Sequence, residues 1–286
     1  MVAGERNGAR MAWAGKMADK LLGKKISPMG IGTWGMGGWL IADRSNDKDD
    51  TKSIRIAIDN GINVIDTAEM YGRGHSEEIV GKAIEGYERE ELFIVTKVWP
   101  THLDRKGILK AIDGSLRRMN LKYVDLYLVH WPSPIADMKM VMRTMEDLVD
   151  NGTARGIGVS NFGVAALEGA MEESKRHGIS ANEIRYNLLD RSAERDTIPF
   201  CEKNRIKVIA YSPLARGKVS GSDALAEIAG RYKKDVVQVS LNYLMKRSLP
   251  IPKARGARHI KDIIGAAGWK LSAKNYNKIK NGEPGR

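Results

Sequence analysis

Short apolar runs alternate along this chain with longer segments in which apolar residues recur every three or four positions. The first pattern is typical of buried β-strands and the second of amphipathic helices, so the alternation predicts repeated β/α units. The predicted strands are Met29–Trp34, Ile62–Asp66, Leu92–Lys97, Val124–His130, Gly156–Asn161, Glu183–Asn187, Lys207–Ser212 and Leu249–Lys253.

The segments between the predicted strands carry stripes of apolar residues at the spacing of one helix face. The clearest stripes are those of the first four predicted helices: Ile54, Ala57 and Ile58; Val80, Ala83 and Ile84; Ile108, Ile112 and Leu116; Val141, Met145 and Leu148. Stripes of this kind pack against a sheet. Strands such as INVID and VDLYLVH are apolar almost throughout, which indicates a parallel sheet that is covered on both faces.

Eight such units in one domain favour an α/β fold of the (β/α)8 TIM barrel type, and a doubly wound open sheet is the alternative. The open sheet usually carries a phosphate-binding glycine loop that leads into a helix. Gly30–Gly35 matches G-x-G-x-x-G, but the next residues are again rich in glycine and predict a loop, so we interpret the match as accidental. We expect one barrel domain over residues 21–286, after a loose N-terminal tail over residues 1–20.

Polar side chains end seven consecutive predicted strands. They are Asp66, Lys97, His130, Ser160 with Asn161, Tyr186 with Asn187, Tyr211 with Ser212, and Lys253. In a barrel these positions converge on one mouth, where the chemistry takes place. Each residue alone fits a helix cap, a turn or a solvated charge as well as a functional role. Together, the combination of Asp, Tyr, Lys and His indicates acid catalysis.

The combination fits reduction of a carbonyl group by hydride. Negative charge develops on the carbonyl oxygen, and a tuned acid must supply a proton as it grows. A tyrosine fits that role if it is made more acidic by the ammonium of Lys97, whose charge Asp66 would hold. His130 would orient the carbonyl or share the proton. The hydride must come from a cofactor, because no side chain supplies one.

Composition narrows the class of protein. Cys201 is the single cysteine, which excludes a disulfide framework within the chain and indicates a reducing compartment, so we expect a cytoplasmic protein. No apolar run reaches the length of a membrane span, and we expect no metal site. Charged residues make up 29% of the chain and Gln238 is its only glutamine, a bias seen in thermophilic proteins.

The formal net charge of +12 raises the question of nucleic acid binding. The basic residues are scattered, however, and aromatic residues do not interleave with them as in single-strand binders. The densest basic stretch, from Lys253 to Lys261, is better suited to a small anion. We therefore expect no nucleic acid partner and no membrane partner, and the sequence leaves the oligomeric state undetermined.

The chain resembles the aldo-keto reductase family over about residues 25–270. The segments that carry the resemblance are GINVIDTAEMYG, FIVTKVWP, VDLYLVHWP, GIGVSNF, AYSPLARG and LPIPKA. The resemblance implies a (β/α)8 barrel and an NAD(P)H-dependent oxidoreductase that reduces small aldehydes and ketones. It also implies an extended NADPH without a Rossmann domain, NADH being possible.

The resemblance assigns roles by motif. The implied catalytic residues are Asp66, Tyr71, Lys97 and His130. The implied cofactor-binding residues are Thr33, Trp34, Asp66, Ser160, Asn161, Glu183, Tyr211, Ser212, Leu214, Lys253, Arg255, Arg258 and His259. The implied substrate pocket consists of Trp34, Tyr71, His130 and Trp131.

The chain departs from the family pattern in three places. Glu183 stands where the family commonly has glutamine, and a carboxyl group donates a hydrogen bond only when protonated. The segment after Lys253 differs at the adenosine end, but its cations still favour NADPH over NADH. Only about seventeen residues follow Trp269, fewer than the long loop that shapes the pocket in many relatives. We therefore expect an open pocket that accepts many small aldehydes.

Two other functions remain open at this stage. An NADPH-binding, redox-sensing regulatory subunit with little turnover is the alternative to an enzyme, although the complete set of four catalytic residues argues against it. An additional nucleic-acid-binding role would rest on net charge alone.

Overall fold

The structure is a computed structural model that describes residues 19–221 and 223–282. The strands within these ranges are β1 (Asp19–Leu21), β2 (Lys24–Ile26), β3 (Gly30–Gly32), β4 (Val64–Asp66), β5 (Phe93–Val98), β6 (Leu126–Val129), β7 (Ile157–Ser160), β8 (Ala181–Arg185), β9 (Lys207–Tyr211) and β10 (Leu249–Pro250). The helices are α1 (Asp47–Asp59), α2 (His75–Ile84), α3 (Arg105–Met119), α4 (Met138–Asp150), α5 (Val164–Glu173), α6 (Thr197–Lys203), α7 (Asp223–Tyr232), α8 (Val236–Leu244), α9 (Gly256–Ile264) and α10 (Ala273–Asn281).

Strands β3 to β10 form one parallel sheet in chain order, as the predicted (β/α)8 barrel requires. The first and last strands meet where the amide of Gly32 donates to the carbonyl of Pro252 at 3.1 Å. A Cβ atom on Gly32 would lie 2.7 Å from the carbonyl oxygen of Ile251, so glycine allows this close approach. The barrel prediction is confirmed.

Two apolar layers hold the barrel together. The inner layer fills the sheet interior with strand residues such as Val64, Phe93 and Leu126. The outer layer lies between the strands and the helices. It contains residues from all four predicted helical stripes, among them Ile54, Val80, Ile108 and Leu148. None of the helices in residues 19–221 and 223–282 has both the length and the apolar character of a membrane span.

The polar ends of most strands lie where the sequence predicts them, and the sixth barrel strand is the exception. It spans Ala181–Arg185 and not Glu183–Asn187. Tyr186 turns into the outer layer, where its hydroxyl donates to Glu194 at 2.6 Å, and Asn187 pairs with Asp190. The glycine motif after β3 leads into a loop, and the next helix begins only at Asp47, so the dinucleotide fingerprint is indeed accidental.

A short antiparallel hairpin, β1–β2, precedes the barrel and was not predicted from the sequence. Its apolar residues Leu21 and Ile26 belong to the inner layer. Lys24 donates to Asp125 at 2.6 Å and to the carbonyl of Leu92 at 2.6 Å, which attaches the hairpin to the amino-terminal ends of β5 and β6. The last residues of the predicted tail therefore belong to β1, and residues 1–18 lie outside the described ranges.

Candidate active site

A buried cluster of charges lies at the carboxyl-terminal ends of the strands. Lys97 of β5 donates to Asp66, the last residue of β4, at 2.6 Å and to the carbonyl of Thr67 at 3.0 Å. The Lys97 nitrogen also lies 3.3 Å from a carboxyl oxygen of Glu183 on β8. The side chains of all three residues are at most 3% exposed. Asp66 therefore holds the lysine charge as the sequence predicts, and Glu183 adds a second acid.

The loop after β4 carries Tyr71 to this cluster. The chain turns there through left-handed conformations at Gly72, Arg73 and Gly74. The amide of Gly72 donates to the carbonyl of Trp39 at 2.7 Å, and a Cβ atom on Gly72 would lie 2.4 Å from the carbonyl oxygen of Gly37. The glycine at this position thus lets two mouth loops touch, and their contact holds Tyr71 in place.

Aromatic rings surround the Tyr71 side chain. The ring centroid of Trp34 lies 4.7 Å from that of Tyr71, and the ring centroid of His130 lies 5.7 Å away. The Lys97 nitrogen lies 5.3 Å from the Tyr71 ring centroid, and Trp99 packs edge-on against His130 at 5.3 Å. The four residues predicted to be catalytic therefore meet in one pocket.

Burial controls the ionisation of the phenol. It raises the pKa of Tyr71 above its usual value; the positive charge of Lys97 lowers it, and the charges of Asp66 and Glu183 raise it further. The expectation that Lys97 makes the phenol more acidic than normal is therefore wrong, because desolvation outweighs the ammonium. Burial alone would lower the pKa of Lys97, but Asp66 and Glu183 raise it, so the lysine stays charged.

His130 is neutral in this environment. Burial, with a contribution from the charge of Lys97, lowers the pKa of His130 to about 2. Its Nδ1 atom is buried without a hydrogen-bond partner. Burial also raises the pKa of Asp66 and, more strongly, that of Glu183, which the charge of Asp66 raises further.

The ends of β7 and β9 place a group of polar side chains beside the cluster. Asn161, in a left-handed conformation directly after β7, donates from its side chain to the carbonyl of His130 at 3.1 Å and to the hydroxyl of Ser160 at 3.0 Å. The hydroxyl of Tyr211 donates to the Asn161 amide oxygen at 2.8 Å. This network fixes the half-buried Tyr211 ring at the mouth, next to Ser160.

The basic residues after β10 differ from the expectation in one respect. Arg255 is bound by Asp50 of α1 through two hydrogen bonds of 2.7 Å and 3.1 Å. Arg258 and His259 are exposed on α9, and Lys253 lies with its nitrogen 5.4 Å from the Trp39 ring centroid. Cations therefore do gather here. The guanidinium of Arg255, which is the best suited of them to bind an anion, is already paired with the buried carboxylate of Asp50.

The remaining residues that the sequence predicts for the site range from fully buried to exposed at the barrel mouth. Thr33 is fully buried, and its hydroxyl accepts a hydrogen bond from Ser76 at 2.8 Å, so its side chain is committed to the wall of the barrel. Ser212 and Leu214 follow β9 in the loop beside Tyr211. Trp131 follows His130 and is 44% exposed at the rim of the mouth.

The sequence analysis did not single out three residues that shape the site. Trp99 directly follows β5 and contacts His130, so the rule that strand ends carry function could have found it. Glu69 accepts from the Trp99 amide at 2.7 Å, and Trp39 packs against Trp34 at 5.0 Å. Among the described residues no cluster of His, Cys, Asp and Glu could hold a metal ion.

Comparison with known proteins places this geometry in a family. The model of the Aldo/keto reductase family matches residues 28–282. The aldo-keto reductase YhdN of Bacillus subtilis (strain 168) is 37% identical over 208 residues, which cover 70% of this chain but only 62% of YhdN. The methylglyoxal reductase YeaE of Escherichia coli (strain K12) is 33% identical over 266 residues, 91% of this chain and 92% of YeaE.

Solved structures show the same architecture. The thermostable aldo-keto reductase Tm1743, crystallised with the inhibitor epalrestat, is 39% identical with a TM-score of 0.88, covering 93% of this chain and 99% of that one. An aldo-keto reductase from Klebsiella pneumoniae in complex with NADPH is 30% identical with a TM-score of 0.86, covering 93% and 94%. The chain belongs to the aldo/keto reductase family.

Proposed function

We propose that this protein is an NADPH-dependent reductase of small aldehydes and ketones in which Tyr71 is the proton donor. The observation that carries the proposal is the convergence of Tyr71, Lys97, Asp66 and His130 in one buried pocket at the mouth of the barrel. This arrangement supplies a phenolic acid, a charge beside it and a neutral imidazole, which carbonyl reduction requires.

The four side chains divide the chemistry. NADPH, when bound, supplies the hydride. The Tyr71 hydroxyl, whose raised pKa keeps it protonated, gives its proton to the carbonyl oxygen as negative charge develops there. The charged Lys97 stabilises the phenolate that this transfer leaves. His130, neutral and with one ring nitrogen unpaired, offers a hydrogen bond that orients the carbonyl.

The residues at the mouth fit a nicotinamide dinucleotide. Two buried polar atoms there, Nδ1 of His130 and Oε2 of Glu183, have no hydrogen-bond partner in the protein. Ser160 and Asn161 offer polar groups to a carboxamide, and the anchored ring of Tyr211 offers a stacking surface. Lys253, Arg258 and His259 would face the phosphates, which favours NADPH, while Asp50 holds Arg255.

The rim of the mouth supports small carbonyl compounds as substrates. Trp34 and Trp131 frame the opening beside Tyr71, and the polar groups of the pocket are those that would bind the carbonyl and the cofactor. YeaE, at 33% identity, is a methylglyoxal reductase. We therefore propose a broad preference for short aldehydes, methylglyoxal among them.

The test combines NADPH oxidation with a matched pair of variants. Tyr71→Phe should bind NADPH as the wild type does, by fluorescence titration, but lose about 10²- to 10⁴-fold in turnover of methylglyoxal. Tyr127→Phe is the control, because Tyr127 is also fully buried but its hydroxyl has no hydrogen-bond partner. Undiminished turnover in Tyr71→Phe would contradict the assigned acid. Tight NADPH binding without turnover of any aldehyde would favour the regulatory subunit instead.

A further inference from the structure

Glu183 places a second carboxyl group on a lysine that already has a counter-ion. Lys97 directs hydrogen bonds to Asp66 and to the carbonyl of Thr67, while Oε2 of Glu183 lies 3.3 Å away without hydrogen-bond geometry. The side chain of Glu183 is 3% exposed. The Oε2 atom of a carboxylate there would carry buried negative charge without a hydrogen-bond donor, which is strongly unfavourable.

The titratable groups that interact electrostatically with Glu183 come from four parts of the barrel. They are Asp66 from β4, Lys97 from β5, Tyr71 from the loop after β4, and Tyr211 from β9. Only one of them, Lys97, is positively charged, and Asp66 already neutralises it. One proton shared between the two acids removes the excess negative charge, as in other close carboxyl pairs.

We propose that Glu183 is a positioning residue that works in its neutral form, sharing a proton with Asp66, and that its ionisation slows carbonyl reduction. The pKa direction agrees with this geometry: burial and the negative charge of Asp66 raise the pKa of Glu183 well above its usual value. The negative charge stays on Asp66 because its oxygen lies 2.6 Å from the Lys97 nitrogen, closer than the 3.3 Å of Glu183.

The ionisation of Glu183 would act through Tyr71. With Glu183 neutral, Lys97 and Asp66 balance each other, and the phenol sees no excess charge. An ionised Glu183 adds a negative charge that raises the pKa of Tyr71 further and disfavours the phenolate formed as the proton leaves. Reduction should therefore be fast at low pH and slow down as the pH rises through this ionisation.

The kinetic arm of the test compares the wild type with Glu183→Gln, whose amide is neutral at every pH. This arm rests on the proposed function. We expect kcat/KM of the wild type to fall about tenfold for each pH unit above the ionisation. Whatever its activity at low pH, the variant should lack that fall when its kcat/KM is expressed relative to its own low-pH value. An identical decline in both proteins would overturn the proposal.

A second arm needs no activity. Because the pKa of Glu183 is raised in the folded state, its contribution to stability is complete below the unfolded pKa and is lost as the pH rises through the folded pKa. The Tm of the wild type minus that of Glu183→Gln should therefore fall as the pH rises above the unfolded pKa of about 4.3, by about 3 °C per pH unit for as long as folded Glu183 keeps its proton.

Glu146→Gln is the matched control for the second arm. Glu146 is a buried acid of α4 whose pKa is lowered, because hydrogen bonds from the His177 and Arg176 backbone outweigh its burial. Its difference in Tm should not shrink over the same range. A constant difference for Glu183→Gln would overturn the shared proton, whereas a shrinking difference without any turnover would instead remove the proposed reductase function.

Discussion

Because Asp66 and Glu183 both lie beside one lysine, we expect the effects of substituting them on the free energy of unfolding to be strongly coupled. Each acid lies within 3.3 Å of the Lys97 nitrogen. In Asp66→Asn the remaining Glu183 can ionise and become the counter-ion, and in Glu183→Gln the Asp66 pair survives. Only the double variant leaves the buried ammonium without a carboxylate. The two substitutions should therefore be far from additive.

The expected magnitude follows from the burial of Lys97, which is 0% exposed. Each single substitution leaves one carboxyl group beside Lys97 and should cost about 1 kcal/mol in the free energy of unfolding. Leaving a buried charge unpaired costs about 3–5 kcal/mol, so the double variant should be less stable than the sum of the single effects by about 2 kcal/mol.

Urea unfolding of the wild type, both single variants and the double variant at neutral pH measures the coupling. The double variant should also lose Tm by about 2–4 °C for each kcal/mol. A parallel cycle of Asp66→Asn with Glu146→Gln, whose sites share no partner, should be additive to within about 0.5 kcal/mol. Additivity to the same precision in the Asp66 and Glu183 cycle would refute the idea that both acids serve one ammonium.

Two further substitutions test other parts of the structure. Asp125→Ala removes a buried carboxylate that accepts from Lys24 at 2.6 Å and from Arg89 at 2.7 Å. It should lower the free energy of unfolding in urea by about 3–5 kcal/mol, and a loss below about 1 kcal/mol would contradict this. Asp50→Asn should free Arg255 for a phosphate and tighten NADPH relative to NADH about tenfold in fluorescence titrations, where an unchanged ratio would argue against Arg255 as a phosphate ligand.

Local pattern was sufficient for the barrel strands and not for the hairpin before them. A run such as Phe93–Val98 is buried at every position, so its apolar sequence alone identifies it. The hairpin strands Asp19–Leu21 and Lys24–Ile26 have three residues each, and only one of the three is buried in each case. The pairing of these two strands depends on their contacts with the barrel, and such long-range contacts leave no local pattern in the sequence.

The candidate site likewise contains residues whose meeting the sequence predicts and contacts that it does not predict. Asp66, Lys97 and His130 end buried strands, so the barrel topology alone predicts that they meet. The pair of Asp50 and Arg255 joins residues that are 205 positions apart in the sequence. Asp50 lies inside a helix, where the sequence alone predicts that an acidic side chain is a solvated charge. The position of Glu183 was read from the sequence, but its contact with Lys97 depends on the curvature of the sheet that brings β8 towards β5.

The ionisation states of the site together favour Tyr71 as the proton donor of the proposed reaction. Reduction needs Tyr71 as a phenol, and oxidation of an alcohol needs it as a phenolate that accepts a proton. Burial raises the pKa of Tyr71, so the phenol is by far the more abundant form at neutral pH. His130, with its pKa lowered to about 2, cannot replace it as a proton donor. The charges and burial around Tyr71 therefore suit its proposed role as the proton donor, whichever carbonyl compound the rim admits.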